Sequence, residues 1–226
     1  MNKTEINKRY VVFIPVRKNS KRIKNKNFVK INNKPLLYYT YIEAQKIFNN
    51  KNIYISSNDI KAEKFSKKFH LRFVKRPNSL CKDESKTEDA ILHFINNKKK
   101  EIPENIILLQ TTSPMRKGKD ILKCINKFEK EKLDSIFSVY KEKNFFWKKN
   151  KKKLFSFSFN FKNRLRSQDL DNIYHENGSI FIFKTKKFLK YKNRIFGKFN
   201  FFEICKSDSI DLDTKEDLKM IKKYLK

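Results

Sequence analysis

The chain has 226 residues, enough for one sizeable α/β domain that buries its core without disulfides or metal staples. Its formal charge of +31 would ordinarily point to nucleic acid or a membrane surface, but the excess is nearly all lysine, spread evenly from Lys3 to Lys226 beside abundant Asn, Ile and Phe. Charge distributed in this way reads as compositional bias, so no specific nucleic-acid partner is expected. Cys81, Cys124 and Cys205 are odd in number, far apart and without CxxC spacing, which excludes a disulfide framework and a zinc site and reads as three small buried apolar residues in a reducing compartment. The opening MNKTEINKRY lacks a signal-peptide core, and no run approaches the roughly 20 apolar residues of a membrane span, so a cytoplasmic protein without membrane contact is expected.

In chain order, the first strong element is Val11 to Val16 (VVFIPV), a strand buried on both faces of a parallel sheet. It empties into Arg17 to Lys26, ten residues holding two arginines, four lysines, two asparagines and a serine. Ligands of open α/β sheets bind beyond the carboxyl ends of strands, so this loop is read as a phosphate site. A lysine-rich run is usually a solvated face, but arginine is scarce here, nine among 55 basic residues, and Arg17 sits directly at the strand end with a planar fork suited to phosphate oxygens. The loop has no glycine, so it is neither a Walker A loop nor a dinucleotide fingerprint.

A turn at Asn32 to Pro35 precedes a helix over Leu36 to Phe48, then a strand over Asn52 to Ser56, a helix capped by Asp59 and running to about Phe69, and a strand over Leu71 to Val74. This βαβαβ order predicts a doubly wound sheet with right-handed crossovers. Arg76-Pro77 breaks the pattern, and a polar loop over Ser79 to Lys86 leads to a helix over Thr87 to Asn97. Glu104 to Gln110 is a second strongly buried strand, delivering Thr111-Thr112-Ser113-Pro114-Met115-Arg116 to the same edge as Arg17.

A helix over Lys119 to Lys130 and a strand over Ser135 to Val139 follow. Residues 141–170 are aromatic and basic, and the strict alternation of Phe155 to Phe161 predicts a half-buried strand in an arm outside the main sheet. Such a stretch can be a core or dimer face, or a base-stacking platform. Tyr174 to Gly178 reads as a polar turn before a strand over Ser179 to Phe183, with another strand over Phe199 to Ile204. In SIDLDT, Asp211 and Asp213 are two apart, so in an extended segment both carboxylates can converge on one hard cation. The competing reading makes Asp213 or Thr214 the cap of a helix over Lys215 to Leu225, which leaves Asp211 unexplained.

Taken together, IPVRKNSKRIKNKN, LLQTTSPMR, YHENGSIFI and SIDLDT resemble, in order and through nearly the whole chain, the CMP-N-acylneuraminate cytidylyltransferases, which activate sialic and related nonulosonic acids. The resemblance implies a Rossmann-like nucleotidyltransferase fold: one domain over 1–226 with a mainly parallel, mixed sheet, helices on both faces, and a small β-rich dimerisation arm over 141–170. It implies a homodimer whose arm contributes to the neighbouring active site. It implies attack of the sugar 2-hydroxyl on the α-phosphorus of CTP, with pyrophosphate leaving.

By the same resemblance, Arg17, Ser20, Lys21, Lys26, Asn27, Asp83 and Thr87 serve the nucleotide, while Gln110, Thr112, Ser113, Arg116, Arg166, His175 and Asn177 serve the sugar acid. Asp211 and Asp213 would hold Mg²⁺ or Mn²⁺ and, with Arg17 and Lys26, form the catalytic set. The chain departs from the family with Lys18, Asn19 and Arg22 at positions often glycine, and with Ser56-Ser57-Asn58 in place of a serine-threonine-aspartate motif. The sugar (N-acetylneuraminic, legionaminic or pseudaminic acid) and the nucleotide (CTP or GTP) stay open. Two other readings stand beside this one: a metal-dependent nucleotide-sugar glycosyltransferase and a basic nucleic-acid-binding protein.

Overall fold

A computed structural model describes residues 1–18, 20, 22–98 and 102–225. The strands of the main sheet are β1 (Tyr10–Pro15), β4 (Ile53–Ser57), β5 (Arg72–Lys75), β6 (Asn105–Leu109), β7 (Ser135–Glu142), β10 (Ile173–Lys184) and β11 (Phe199–Glu203). Two short hairpins flank it, β2 (Lys30–Ile31) with β3 (Lys34–Pro35), and β8 (Trp147–Asn150) with β9 (Lys153–Ser156). The order across the sheet is β11-β7-β10-β6-β1-β4-β5, and β10 alone runs antiparallel to its neighbours.

Side-chain alternation sorts each central strand into two cores. Val12 and Ile14 of β1, Ile107 and Leu109 of β6, and Ile180 and Ile182 of β10 face one core. There they meet α1 (Lys3–Arg9), α2 (Leu36–Gln45), α3 (Ile60–Lys68) and α5 (Gly118–Lys130). Phe13, Ile106, Leu108, Phe181 and Phe183 face the other, covered by α4 (Thr87–Asn96) and α6 (Thr185–Tyr191). This is the doubly wound, mainly parallel sheet the sequence predicts. A third cluster joins Ile31 and Leu36 to Leu212 and to Ile221 of α7 (Lys215–Tyr224), bringing the segment with both aspartates against the first hairpin.

The local chemistry explains most element ends. Asp59 caps α3 by accepting from Lys61 N at 2.9 Å. Asn32 and Asn33, at φ 46° and 64°, form the two-residue turn between β2 and β3, where asparagine tolerates left-handed backbone. At α7 the cap is Thr214, which accepts from Asp217 N at 3.1 Å while the Asp217 carboxylate accepts from Thr214 N at 2.7 Å. The Asp213 carboxylate is thereby free of capping, although its backbone N–H donates to Asp217 Oδ2 at 2.9 Å.

Three expectations are corrected, and two helices are added. Phe155 to Phe161 is not a continuous strand: β9 ends at Ser156, and Ser158 Oγ donates to Asn144 O and accepts from Phe146 N, folding the chain back. The alternation instead builds an aromatic cluster in which Phe159 meets Phe145 and Trp147 edge-on, at 4.9 and 5.2 Å between centroids. Tyr174 to Gly178 belongs to β10 and pairs with β7, with a bulge between Glu176 and Phe181 absorbing the glycine. Cys81 and Cys124 are buried as expected, but Cys205 is exposed, on a loop after β11. The helices α1 and α6 are additions. With one buried apolar residue in α1, and α6 following β10 without a break, neither shows the periodic stripe that marks a helix.

Phe94 packs between Phe13 and Tyr54, at 5.1 and 5.0 Å between centroids. Phe94→Ala is expected to lower stability by about 3–5 kcal/mol in urea denaturation, the usual loss for emptying a buried ring.

Candidate active site

The parallel strands β1, β4, β5 and β6 all end at one edge of the sheet, and polar side chains collect there. A cleft of about 450 Å³ is lined by Pro15, Arg17, Ser20, Lys26 and Asn27 from β1 and its loop. Arg76, Asp83, Lys86 and Thr87 close a second side, Gln110, Thr111 and Thr112 a third, and Asp211 and Asp213 a fourth. Thr87 opens α4, so the positive end of that helix also faces the cleft.

Hydrogen bonds brace the basic loop. Asn27 Nδ2 donates to Arg17 O at 3.0 Å, and its Oδ1 accepts from Thr111 Oγ1. Lys26 is buried; its Nζ donates to Leu212 O at 2.7 Å and to Asp213 Oδ1 at 2.8 Å. Arg17 lies at the mouth, 3.3 Å from Asp83 Oδ1. Arg76 lines the cleft from beneath, 6% exposed, donating from one Nη to Val16 O and Ser56 O while Nε has no protein partner. Burial pulls its guanidinium below the ordinary value. A buried cation with an unused N–H can serve an acceptor oxygen, such as a base carbonyl or a ribose hydroxyl.

The two carboxylates have opposite electrostatics. Burial, together with the charge of Asp213, raises the pKa of Asp211 against hydrogen bonds from Thr112 and Ser113, the latter at 3.4 Å. Asp213 is also pushed up by burial, but Lys26 and Arg22 outweigh this and hold it below the usual range. Among the described residues no group of three or more His, Cys, Asp or Glu is placed to hold a metal. The donor set nevertheless fits Mg²⁺, which is commonly bound through one or two carboxylates with substrate phosphates completing the shell.

A second cleft, about 690 Å³, lies beside the first. Tyr140, His175, Asn177, Gly178 and Phe181 line it from β7 and β10, Lys206, Ser207, Ser209 and Ile210 from the loop after β11, and Asp217, Met220 and Tyr224 from α7. Gln110 and Asp211 line both clefts. Gly178, at φ 67°, lets the backbone pass close to Gln110, where an added Cβ would stand 3.4 Å from Oε1.

The structure gathers Arg17, Ser20, Lys26, Asn27, Asp83, Thr87, Gln110, Thr112, Asp211 and Asp213 around the first cleft, and His175 and Asn177 with Gln110 around the second. Lys21 lies outside the described residues. Thr112, expected beside a sugar, faces the first cleft, and Ser113 is buried behind Asp211. Arg116 is a correction. It is 2% exposed and lines neither cleft: its Nε and one Nη donate to Ser179 O, Ser179 Oγ and Gln110 O, and the other Nη is buried without a partner. Burial pulls the Arg116 pKa down to about 9 against Glu43 and Asp211, and its bonds to Ser179 and Gln110 tie the end of β6 to β10.

Arg166 is also absent from both linings; it sits exposed on the arm, paired with Asp169 at 2.8 Å. His175 packs at a tilt against Tyr140, 4.8 Å between ring centroids, and Asn177 is fixed by Ser138, Ser179 and Ser209. Missing from the sequence reading were Arg76, Tyr140, Arg194 and Lys206. Arg76 had a signal: it follows β5 directly, much as Arg17 follows β1. The other three reach the cleft only through tertiary packing.

The family model for cytidylyltransferases matches residues 11–224. The chain belongs to the cytidylyltransferase family. It is 26% identical over 212 residues to the N-acylneuraminate cytidylyltransferase of Streptococcus agalactiae serotype III, a match covering 92% of this chain and 51% of that protein. The chain thus spans about half the length of that relative. It is 30% identical to post-translational flagellin modification protein B of Campylobacter coli, with 94% and 93% covered, and 26% identical to the pseudaminic acid cytidylyltransferase of Campylobacter jejuni, with 92% and 93% covered. A CMP:2-keto-3-deoxy-manno-octonic acid synthetase complexed with CTP shares the fold, with a TM-score of 0.70 at 14% identity over 96% of this chain and 98% of that one. Family membership gives no support to the glycosyltransferase or nucleic-acid readings.

Because the raised pKa of Asp211 reflects a destabilised charge, Asp211→Asn is expected to raise the unfolding midpoint at pH 7. The gain is full above the raised value and disappears as pH falls into the ordinary carboxylate range. Thermal unfolding between pH 4 and 8 checks this, and a midpoint lowered at pH 7 would contradict it.

Proposed function

We propose that the chain couples CTP to a nonulosonic acid, giving the CMP-sugar and pyrophosphate. The observation that carries this reading is the pair of clefts meeting at Gln110 and Asp211: one basic and suited to a triphosphate, the other suited to a polyhydroxylated acid. Relatives named for N-acylneuraminic and pseudaminic acid support the substrate class. The 2-hydroxyl oxygen bonds to the α-phosphorus, the bond from that phosphorus to the bridging oxygen breaks, and pyrophosphate leaves from beside Arg17 and Lys26. Asp211, more basic than an ordinary carboxylate, takes the hydroxyl proton.

In this proposal Asp211 and Asp213 hold Mg²⁺ or Mn²⁺, which supplies charge neutralisation on the phosphates. The chain's own groups orient the reactants: Arg17, Ser20, Lys21 and Lys26 the triphosphate, Arg76 and Thr87 the nucleoside side, and Gln110, His175 and Asn177 the sugar. Positioning and charge account for most of such a transfer, so no covalent nucleophile is required.

Among the described residues no helix is long and apolar enough to cross a membrane, and we place the reaction in the cytoplasm, where CTP is made. We assign homodimerisation to residues 141–170, whose Trp147, Leu154, Phe155, Phe157, Phe161 and Leu165 are exposed. Arg166, on that arm, is then available to the partner subunit's second cleft.

Pyrophosphate release with Mg²⁺, measured for CTP and GTP against N-acetylneuraminic, legionaminic and pseudaminic acids, is expected to require CTP and one sugar acid together. Release with neither nucleotide from the whole panel would count against the proposal. Asp211→Asn and Arg17→Ala are each expected to cost about 10²–10³ in kcat, the usual loss for one preorganised charge partner. Sedimentation equilibrium of Leu154→Glu/Phe157→Asp is expected to give a monomer from a dimeric parent.

A further inference from the structure

Both oxygens of Asp213 already hold a cation from the chain itself. Oδ1 accepts from Lys26 Nζ at 2.8 Å, and Oδ2 accepts from the Arg22 guanidinium. The three groups differ in freedom to move. The Asp213 backbone is fixed by the α7 cap, its N–H donating to Asp217 Oδ2 at 2.9 Å, and the preceding Leu212 N–H donates to Thr112 O at 2.7 Å. Lys26 is buried, with a second bond to Leu212 O. The Arg22 side chain is 67% exposed, so it alone can leave at little cost.

We propose that Arg22 is an internal stand-in for the divalent cation, holding Asp213 Oδ2 in the free chain, keeping metal off, and moving to the triphosphate when nucleotide arrives. The inference rests on reading the first cleft as the nucleotide site. A guanidinium and a divalent ion repel one another and compete for the same oxygen, so the free chain offers metal little beyond Asp211. A triphosphate reverses the balance. It gives the guanidinium a bidentate partner of higher charge and supplies oxygens to the metal. Metal and nucleotide binding are therefore coupled through Arg22, each raising the affinity for the other.

The test is Mn²⁺ binding without nucleotide, followed by the electron paramagnetic resonance signal of the free ion, for the parent, Arg22→Ala and Arg22→Ala/Asp213→Asn. Arg22→Ala is expected to bind Mn²⁺ about tenfold more tightly than the parent, with the gain lost in the double variant. Equal affinity in parent and Arg22→Ala, or no measurable binding by Arg22→Ala, overturns the proposal. CTP titrated calorimetrically into the parent with Mn²⁺ separates the two failures. Heat of binding with equal Mn²⁺ affinities removes the Arg22 switch alone, whereas no CTP binding removes the nucleotide reading beneath it.

Discussion

A sheet buried on both faces leaves its polar chemistry nowhere to sit but its ends. At the centre of the sheet the constraint is strict, because Val12 to Ile14 of β1, Ile106 to Leu109 of β6 and Ile180 to Phe183 of β10 point alternately into two different apolar cores and leave no wet face. Each substrate-facing group must therefore come from residues just past a strand end or from a segment packed against that edge. Arg17, Arg76 and Gln110 arrive in the first way, Asp211 and Asp213 in the second. The reversed strand β10 fits the same rule with its polarity inverted: its opening residues, His175 to Gly178, reach the active edge.

Of the three buried cations at that edge, Lys26 and Arg116 act in different ways. Lys26 is neutralised by a carboxylate and ties the loop after β1 to the segment before α7. Arg116 has no carboxylate within bonding reach; carbonyl and hydroxyl oxygens hold its Nε and one Nη while the other Nη is left without a partner, and burial depresses its pKa. Its planar fork reaches oxygens of β10 and of the residue after β6 at once, in a fixed geometry that an ammonium lacks. The first cation makes the anion site, and the second makes the floor on which Gln110 stands between the two clefts.

Much of the fold was legible because its strongest elements are locally redundant. Ile14, Ile107 and Leu109 lie in continuous apolar runs, and Asp59, Thr214 and the asparagines at 32 and 33 mark their own boundaries. The basic wall of the first cleft was legible for the same reason, since Arg17 and Lys26 are close in sequence to the strand that aims them. Illegibility began where a residue's role depends on what folds against it. Arg116 sits in a loop at the correct edge and looks like a ligand, yet Ser179, 63 residues away, captures it. Tyr140, Arg194 and Lys206 come from three separate elements and share no local pattern. The alternating phenylalanines of the arm obey the strand period, but a serine hydroxyl competing for backbone groups turns them into a cluster.

The contact between Lys26 and Asp213 spans 187 residues of chain. During synthesis at about 5–20 residues per second, roughly 10–40 s separate the emergence of these two partners. Through that interval β1, β4, β5 and β6 can pair with one another, but the lysine ammonium has no carboxylate and the basic loop has nothing to close on. The nascent chain can therefore pair β1, β4, β5 and β6 well before Asp213 arrives, and the first cleft is closed only when the segment ahead of α7 has emerged.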